Sequence, residues 1–403
     1  IVNGLHPNQR IRISAWMESS RGVRVESWAE FQADATGRVQ TCHDAPLSGT
    51  YSGVSSLGLI WSAKPSPGQR PGVRFAHTDV SKPIVVHIEL QSSEGSILAT
   101  STMTRRYLAP GTQRIPVRTG RIRGTLFLPP GKGPWPGVID MFGSVGGLVE
   151  FRASLLAARG FASLSLAFFA YDDLPKNMDS LEFEYFKEAA QWLSQHDSVT
   201  RGGVGVVGVS QGGVFALLMA SLLSEEGLIA GAITIGGPSV LGVKLSMNGV
   251  ALPYYQWQAV EFRNIDDHDV VVVAPAMEPY FNGEYREPPG AAIPVERARC
   301  PLLFVVGQDD LNIPMESSTK DAVSRMRRAG NAHLAQVISF PNAGHLLEPP
   351  IMPHCAFSYH ATYDVLMAWG GQPEAHHRAQ VASWNRILDF FRDNLPRRST
   401  ARL

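Results

Sequence analysis

The chain has 403 residues, enough at about 100–200 residues per domain for two or three domains and a large buried core. It carries 36 Lys+Arg against 36 Asp+Glu, a formal net charge of zero, with 44% hydrophobic and 18% charged residues. Such a body is globular rather than disordered, and it has no global field to draw in nucleic acid or an anionic membrane.

Residues 1–118 read as β. The stretches 10–17, 23–32 and 84–90 alternate apolar and polar side chains with period two, and turn-forming residues separate them at 19–22, 46–53 and 65–72. Short alternating strands between turn signals specify an antiparallel sandwich. Its histidines, His6, His43, His77 and His87, are isolated and read as surface or structural.

The period changes after Val117. Strand 124–128 is followed by the apolar strand 136–142, a helix over 148–159, the apolar strand 161–169 and an amphipathic helix over 180–196. Val204–Val209 is a further apolar strand, followed by a helix over 212–223 and by strands at 230–235, 302–306 and 335–340. An amphipathic helix over 374–394 closes the series. Continuous apolar strands alternating with helices specify a parallel sheet covered on both faces. Residues 238–299 break the rhythm; this Pro- and Tyr-rich stretch is long for a connection and reads as a lid or insertion over a site, or as a decorated crossover. No apolar run approaches the ~20 residues of a transmembrane helix. The chain opens at Ile1 without Met, as a processed or trimmed N-terminus would.

The sharpest motif is Gly208-Val209-Ser210-Gln211-Gly212, a G-x-S-x-G between an apolar strand and a small-residue helix. That is the context of a nucleophile elbow, whose strand-to-helix turn leaves no room for flanking side chains and lifts the Ser hydroxyl above the sheet. A Ser hydroxyl needs a base, and in α/β-hydrolases an acid and then a His follow on later strands. Strand 302–306 runs into Gln308-Asp309-Asp310, and strand 335–340 runs into Asn342-Ala343-Gly344-His345. The candidates are therefore Ser210, Asp310 (with Asp309 as the alternative) and His345. An oxyanion needs two N–H donors. Gln211, which follows the nucleophile, is the first, and Gly143 or Ser144 in the small-residue loop after 136–142 is the second.

Other residues carry weaker signals. Three scattered cysteines, Cys42, Cys300 and Cys355, make neither a disulfide framework nor a zinc site. His354 and His360 beside Cys355 imitate a metal cluster without the second cysteine pair. No metal and no cofactor is expected. His376-His377 opens a helix, where exposure to solvent is the usual reason. The run 168–173 (FFAYDD) stands at a strand's C-terminal end, where it either lines a substrate crevice or simply packs.

With these residues in view, the chain resembles the family of acyl-CoA thioesterases and bile acid-CoA:amino acid N-acyltransferases. The resemblance lies in RGTLFLPPGKGPWPGVIDMFGSVGGLVEFRASLLAARGFASLSLAFFAYDDLPK, GVGVVGVSQGG, PLLFVVGQDDLN and FPNAGHLLEPPIMPHC, and in the N-terminal PLSGTYSGVSSLGLIWS and YLAPGTQRIPVRTGRIRG. It covers nearly the whole chain in order. It implies an immunoglobulin-like β-sandwich (1–118) preceding an α/β-hydrolase domain (119–403), with Ser210, Asp310 and His345 as nucleophile, acid and base on an acyl-CoA. CoA would then be part of the substrate. Ser at the elbow implies transfer to water, whereas the conjugating members of the family carry Cys and transfer to glycine or taurine. The chain departs from the thioesterase pattern at Leu311-Asn312-Ile313, where His-Asn-Trp is usual, and at Gln211, where Lys is common. Ala401-Arg402-Leu403 is a variant of the peroxisomal Ser-Lys-Leu address, so an import receptor is an expected partner and the peroxisome the expected compartment, with cytosol or mitochondrion as alternatives.

Overall fold

The computed structural model describes residues 1–256, 260–283 and 288–396. Four long strands open the chain: β1 (Arg10–Glu18), β2 (Arg24–Gln32), β3 (Ile84–Ser92) and β4 (Ile97–Arg105). With two two-residue strands they form a six-stranded sheet in which all pairs are antiparallel. Alternation sends Ile11, Ile13, Ala15 and Met17 to one buried face together with Val25, Ala29 and Phe31. On the other face Arg12 lies over Trp28 and Arg24 over Trp16, at 4.3 and 4.1 Å. The buried face is covered by Ile60, Trp61, Phe75 and Val80, and also by Phe127, Ala153 and Ala157 from the following layer. The opposing layer is thus built of loops, a short helix and neighbouring elements rather than of further long strands.

Sheet membership changes between Arg105 and Gln113. The strand β5 (Gln113–Thr119) pairs antiparallel with β6 (Ile122–Leu128), and both belong to a second sheet. That sheet continues with β7 (Gly137–Met141), β8 (Ala162–Ala167), β9 (Val204–Val209) and β10 (Ile229–Ile235). Its spatial order begins β5-β6-β8-β7-β9-β10. From β8 onward every pair is parallel. The connecting helices are α1 (Phe151–Ala157), α2 (Phe183–Gln195) and α3 (Gln211–Leu223). All six residues of β9 are buried, as a strand covered on both faces requires.

Residues 238–299 contain the hairpin β11 (Glu261–Ile265) and β12 (His268–Val272), then α4 (Ala274–Asn282). The large sheet is completed by β13 (Leu302–Gly307) beside β10 and, after α5 (Met315–Arg328), by β14 (Ala335–Phe340) at its edge. A second hairpin follows, β15 (Phe357–His360) and β16 (Val365–Ala368). It joins the first in one four-stranded sheet through the parallel pair β12–β16. The cap over the large sheet is therefore made of two segments, only the first of which stands out in the sequence. The last helix, α6 (Pro373–Asn394), packs Trp384, Ile387, Leu388, Phe390 and Phe391 against one face of the sheet; α2 and α3 cover the other. No helix among the described residues is long and apolar enough to cross a membrane. Ala401, Arg402 and Leu403, which carry the peroxisomal reading, lie outside the described residues.

Candidate active site

Strand β9 ends at Val209 and α3 begins at Gln211, so Ser210 alone makes the turn between them. It does so at φ 54°, ψ −123°, a conformation that non-glycine residues adopt only where their surroundings enforce it. Here the Ser210 N–H donates to the Ile235 carbonyl at 2.8 Å, while its own carbonyl accepts from the N–H of Gly213 and Val214. The turn demands glycine at 208, because a Cβ there would lie 2.0 Å from the Gly212 carbonyl oxygen. Gln211, as first residue of the helix, keeps an N–H without an intrahelical partner.

The other two candidates are in direct contact. His345 Nδ1–H donates to Asp310 Oδ2 at 2.7 Å, with His345 1% and Asp310 8% exposed. The second carboxylate oxygen of Asp310 accepts the main-chain N–H groups of Asn312 and Ile313, each at 2.8 Å. The imidazole of His345 is stacked on Trp369 (5.5 Å between centroids), and its main-chain N–H donates to the Trp369 carbonyl at 2.8 Å. Its Nε2 is buried and has no partner among the described residues. Asp309 turns away: its carboxylate accepts the Gly371 N–H at 2.9 Å. Of the two adjacent acids, the structure thus brings Asp310 to the imidazole and gives Asp309 to the chain that leads into α6.

Gly143 lies against Ser210, close enough that a Cβ on it would be 3.1 Å from Ser210 Cβ. Ser144 and Ser210 line one cavity of about 30 Å³, together with Gln211, Asn312, Met277 and Met367. The side-chain amide nitrogens of Gln211 and Asn312 are buried without a hydrogen-bond partner among the described residues. A wider, open cleft of about 580 Å³ adjoins the far side of the Asp310 loop, and Glu278 and Glu316 give it an acidic wall.

The loop below Gly143 is anchored by a buried ion pair. Arg152 donates from Nε to Asp140 Oδ1 at 2.6 Å and from Nη2 to the Met141 carbonyl at 2.8 Å. Burial pushes the Asp140 pKa up, against the pull of the Arg152 charge.

One reading from the sequence changes here. His376 is not a solvent-exposed helix-start residue; it is 3% exposed, and its ring hydrogen-bonds the main chain on both sides of His345. The first turn of the helix is turned toward the Gly344–Leu346 main chain, so the exposure expected of a helix start fails. The run 168–173 divides: Phe168 packs with Phe169, Phe186 and Phe215, while Asp172 and Asp173 pair with Arg118 and Arg123 beside a separate cleft. His354 and His360 are spoken for as well, on the Gly370 carbonyl and on Ser144. Sequence reasoning missed the cavity's cap residues Met277, Tyr363 and Met367; the β-branched run 270–273 and the aromatic-rich 357–369 were the available signals.

The strand order, the serine elbow and the Asp310–His345 pair define an α/β-hydrolase with serine at the nucleophile position. The comparisons narrow this further. The family model described as BAAT/acyl-CoA thioester hydrolase C terminal matches residues 181–397, and that described as acyl-CoA thioester hydrolase/BAAT N-terminal region matches residues 1–119. The chain is 38% identical over 398 residues to acyl-coenzyme A thioesterase 1 of Homo sapiens, covering 98% of this chain and 92% of that protein. It is also 38% identical to the mitochondrial acyl-coenzyme A thioesterase 2 of Homo sapiens (98% and 80% covered) and 37% identical to acyl-coenzyme A thioesterase 5 of Mus musculus (98% and 92% covered). The chain belongs to the acyl-CoA thioester hydrolase/BAAT family.

Proposed function

We propose that this chain hydrolyses fatty acyl-CoA thioesters to free fatty acid and CoA through an acyl-enzyme on Ser210. The reading is carried by the buried His345–Asp310 hydrogen bond and the strained serine at the strand-to-helix turn, in a chain 38% identical to named acyl-CoA thioesterases along nearly its whole length. His345 Nε2 takes the Ser210 proton as Oγ attacks the thioester carbonyl carbon. Asp310 holds the Nδ1–H tautomer and stabilises the imidazolium. The tetrahedral oxyanion is held by the Gln211 N–H and by the Gly143–Ser144 loop. The C–S bond then breaks, His345 returns its proton to the departing sulfur, and CoA leaves as the thiol. Water adds to the acyl-enzyme, giving its proton to His345; collapse releases the fatty acid and restores Ser210. No cofactor enters this scheme.

The reaction is tested by acyl-CoA turnover with mass identification of the acyl product, with and without glycine or taurine. Free acid in both arms, and a loss of about 10⁴-fold or more in Ser210→Ala, is the expected result. Conjugate outrunning free acid would assign the chain to the amino acid acyltransferases instead, and near-native turnover by Ser210→Ala would remove the mechanism.

A further inference from the structure

The loop that supplies the second oxyanion donor is held by the second cap hairpin. Thr362, at the hairpin's turn, donates from Oγ1 to the Ser144 carbonyl at 2.6 Å. His360, at the end of β15, has its Nε2 3.1 Å from Ser144 Oγ and is only 2% exposed. The same hairpin runs on into Trp369, whose ring lies 6.0 Å from His360 and stacks on His345. One short element thus touches both the oxyanion loop and the base.

The ring of His360 assigns its own proton. Burial, the first cause, pushes its pKa down to about 4, and the nearby His345 adds to this, so the ring is neutral at neutral pH and carries one N–H. Its Nδ1 is buried and meets nothing among the described residues beyond a poorly aligned contact with its own main chain. An N–H placed there would be a buried, badly paired donor, which costs more than an unpaired acceptor on an imidazole whose other nitrogen is satisfied. The proton therefore belongs on Nε2, and Nε2–H donates to Ser144 Oγ. With that lone pair occupied, the Ser144 hydroxyl proton points elsewhere. Ser144 lines the cavity that holds Ser210, and the Tyr363 phenol lines it too. A developing oxyanion in this water-sized space is a charged acceptor and a stronger one than a neutral phenol.

We propose that the Ser144 hydroxyl is itself a donor to the oxyanion, and that His360 is the positioning residue that aims it. This rests on the reading of Ser210 as the nucleophile. It adds to the main-chain donors a side-chain donor that is polarised from behind by a buried neutral imidazole.

The test uses two reactions that need no CoA: phosphonylation of Ser210 by a fluorophosphonate, and steady-state hydrolysis of p-nitrophenyl butyrate. Ser144→Ala should lower both the labelling rate and kcat by about 10²-fold, while KM stays within about threefold, because the bond forms only in the transition state. His360→Phe should match it. His360→Gln, which keeps a side-chain N–H donor, should recover at least about tenfold of that loss. The double variant Ser144→Ala/His360→Phe should be no slower than Ser144→Ala alone. Labelling and kcat of Ser144→Ala within about threefold of wild type would overturn the proposal, as would a full additional loss from His360→Phe in the Ser144→Ala background. Ser144→Ala removes one oxygen, so the proposal stands or falls on it even where His360→Phe fails to fold. Failure of the underlying reading has a different signature: Ser210→Ala would still be labelled.

Discussion

The ring of His376 clasps the main chain on both sides of His345. Its Nδ1 accepts the Gly344 N–H at 3.0 Å, and its Nε2–H donates to the Leu346 carbonyl at 2.9 Å. An imidazole in the first turns of α6 therefore fixes the backbone that presents the base. His376→Phe should cost kcat about tenfold or more, with His376→Gln, which keeps one donor and one acceptor, closer to wild type. A His376→Phe enzyme as active as wild type would show that the loop holds its own shape.

The same residue gives an acid limit. Burial, joined by the charge of His354, pushes the His376 pKa down to about 3, and His360 is pushed down to about 4. Both values lie below the usual 6.5 of the unfolded chain. Between pH 6.5 and about 4 the unfolded state binds more protons than the folded one, so stability is complete above pH 6.5 and falls as pH drops. Each such histidine contributes a slope of up to about 1.4 kcal/mol per pH unit in that window. Urea midpoints across pH 4–7 should show this dependence, and His376→Gln should flatten it. An unchanged slope would count against His376 as a source.

The two adjacent acids should separate by kinetics. Asp310→Asn would leave His345 in the wrong tautomer and should lower kcat about 10³–10⁴-fold with the fold retained. Asp309→Asn weakens only the bond to the Gly371 N–H and should stay within about tenfold of wild type. The reverse ranking in an ester or acyl-CoA assay would exchange their roles.

Gly236 stands between the elbow and the base. It follows Ile235, the acceptor of the Ser210 N–H, has φ +60°, and would place a Cβ 2.9 Å from His345 Nδ1. Gly236→Ala should therefore misplace His345 from Asp310 and lower kcat by about 10²-fold, beyond the roughly 1 kcal/mol that alanine loses in this backbone region. Unimpaired turnover would mean that the neighbouring chain yields without moving the imidazole.

Removing the cation under the oxyanion loop would strand a buried carboxylate. Arg152→Met should destabilise the protein by about 3–5 kcal/mol in urea unfolding, since Asp140 would lose the charge that compensates it. Asp140→Asn combined with Arg152→Met should recover part of that loss. A single variant within 1 kcal/mol of wild type would contradict this account of the pair.

The parts of the fold legible in the sequence were those in which one physical demand dominates. Strand β9 is apolar throughout because it is covered on both faces, and the glycines around Ser210 are dictated by a turn with no space. Helix α5 is hard to read because it is polar overall: its buried side mixes Ser318, Thr319 and Ala322 with Met315 and Met326. The hairpin β15–β16 was hidden because its inward positions are Ser358 and His360, which look like surface chemistry until the partner groups on Trp369 and Ser144 are seen. His376 was misread for the same reason. The order serine, acid, histidine stands out in one dimension, but the residues that steer it are polar groups whose partners lie far away along the chain.

The N-terminal sheet shares its apolar face with Phe127, Ala153 and Ala157 of the hydrolase layer. It also grips the chain just beyond His345: Arg74 pairs with the buried Glu348, the His354 N–H donates to the Trp61 carbonyl, and the Tyr107 hydroxyl meets Met352. With no clean seam between the layers, the chain should melt in a single cooperative transition. The first hundred residues then act as a splint for the catalytic loop, and they could not be exchanged or removed as a detachable module.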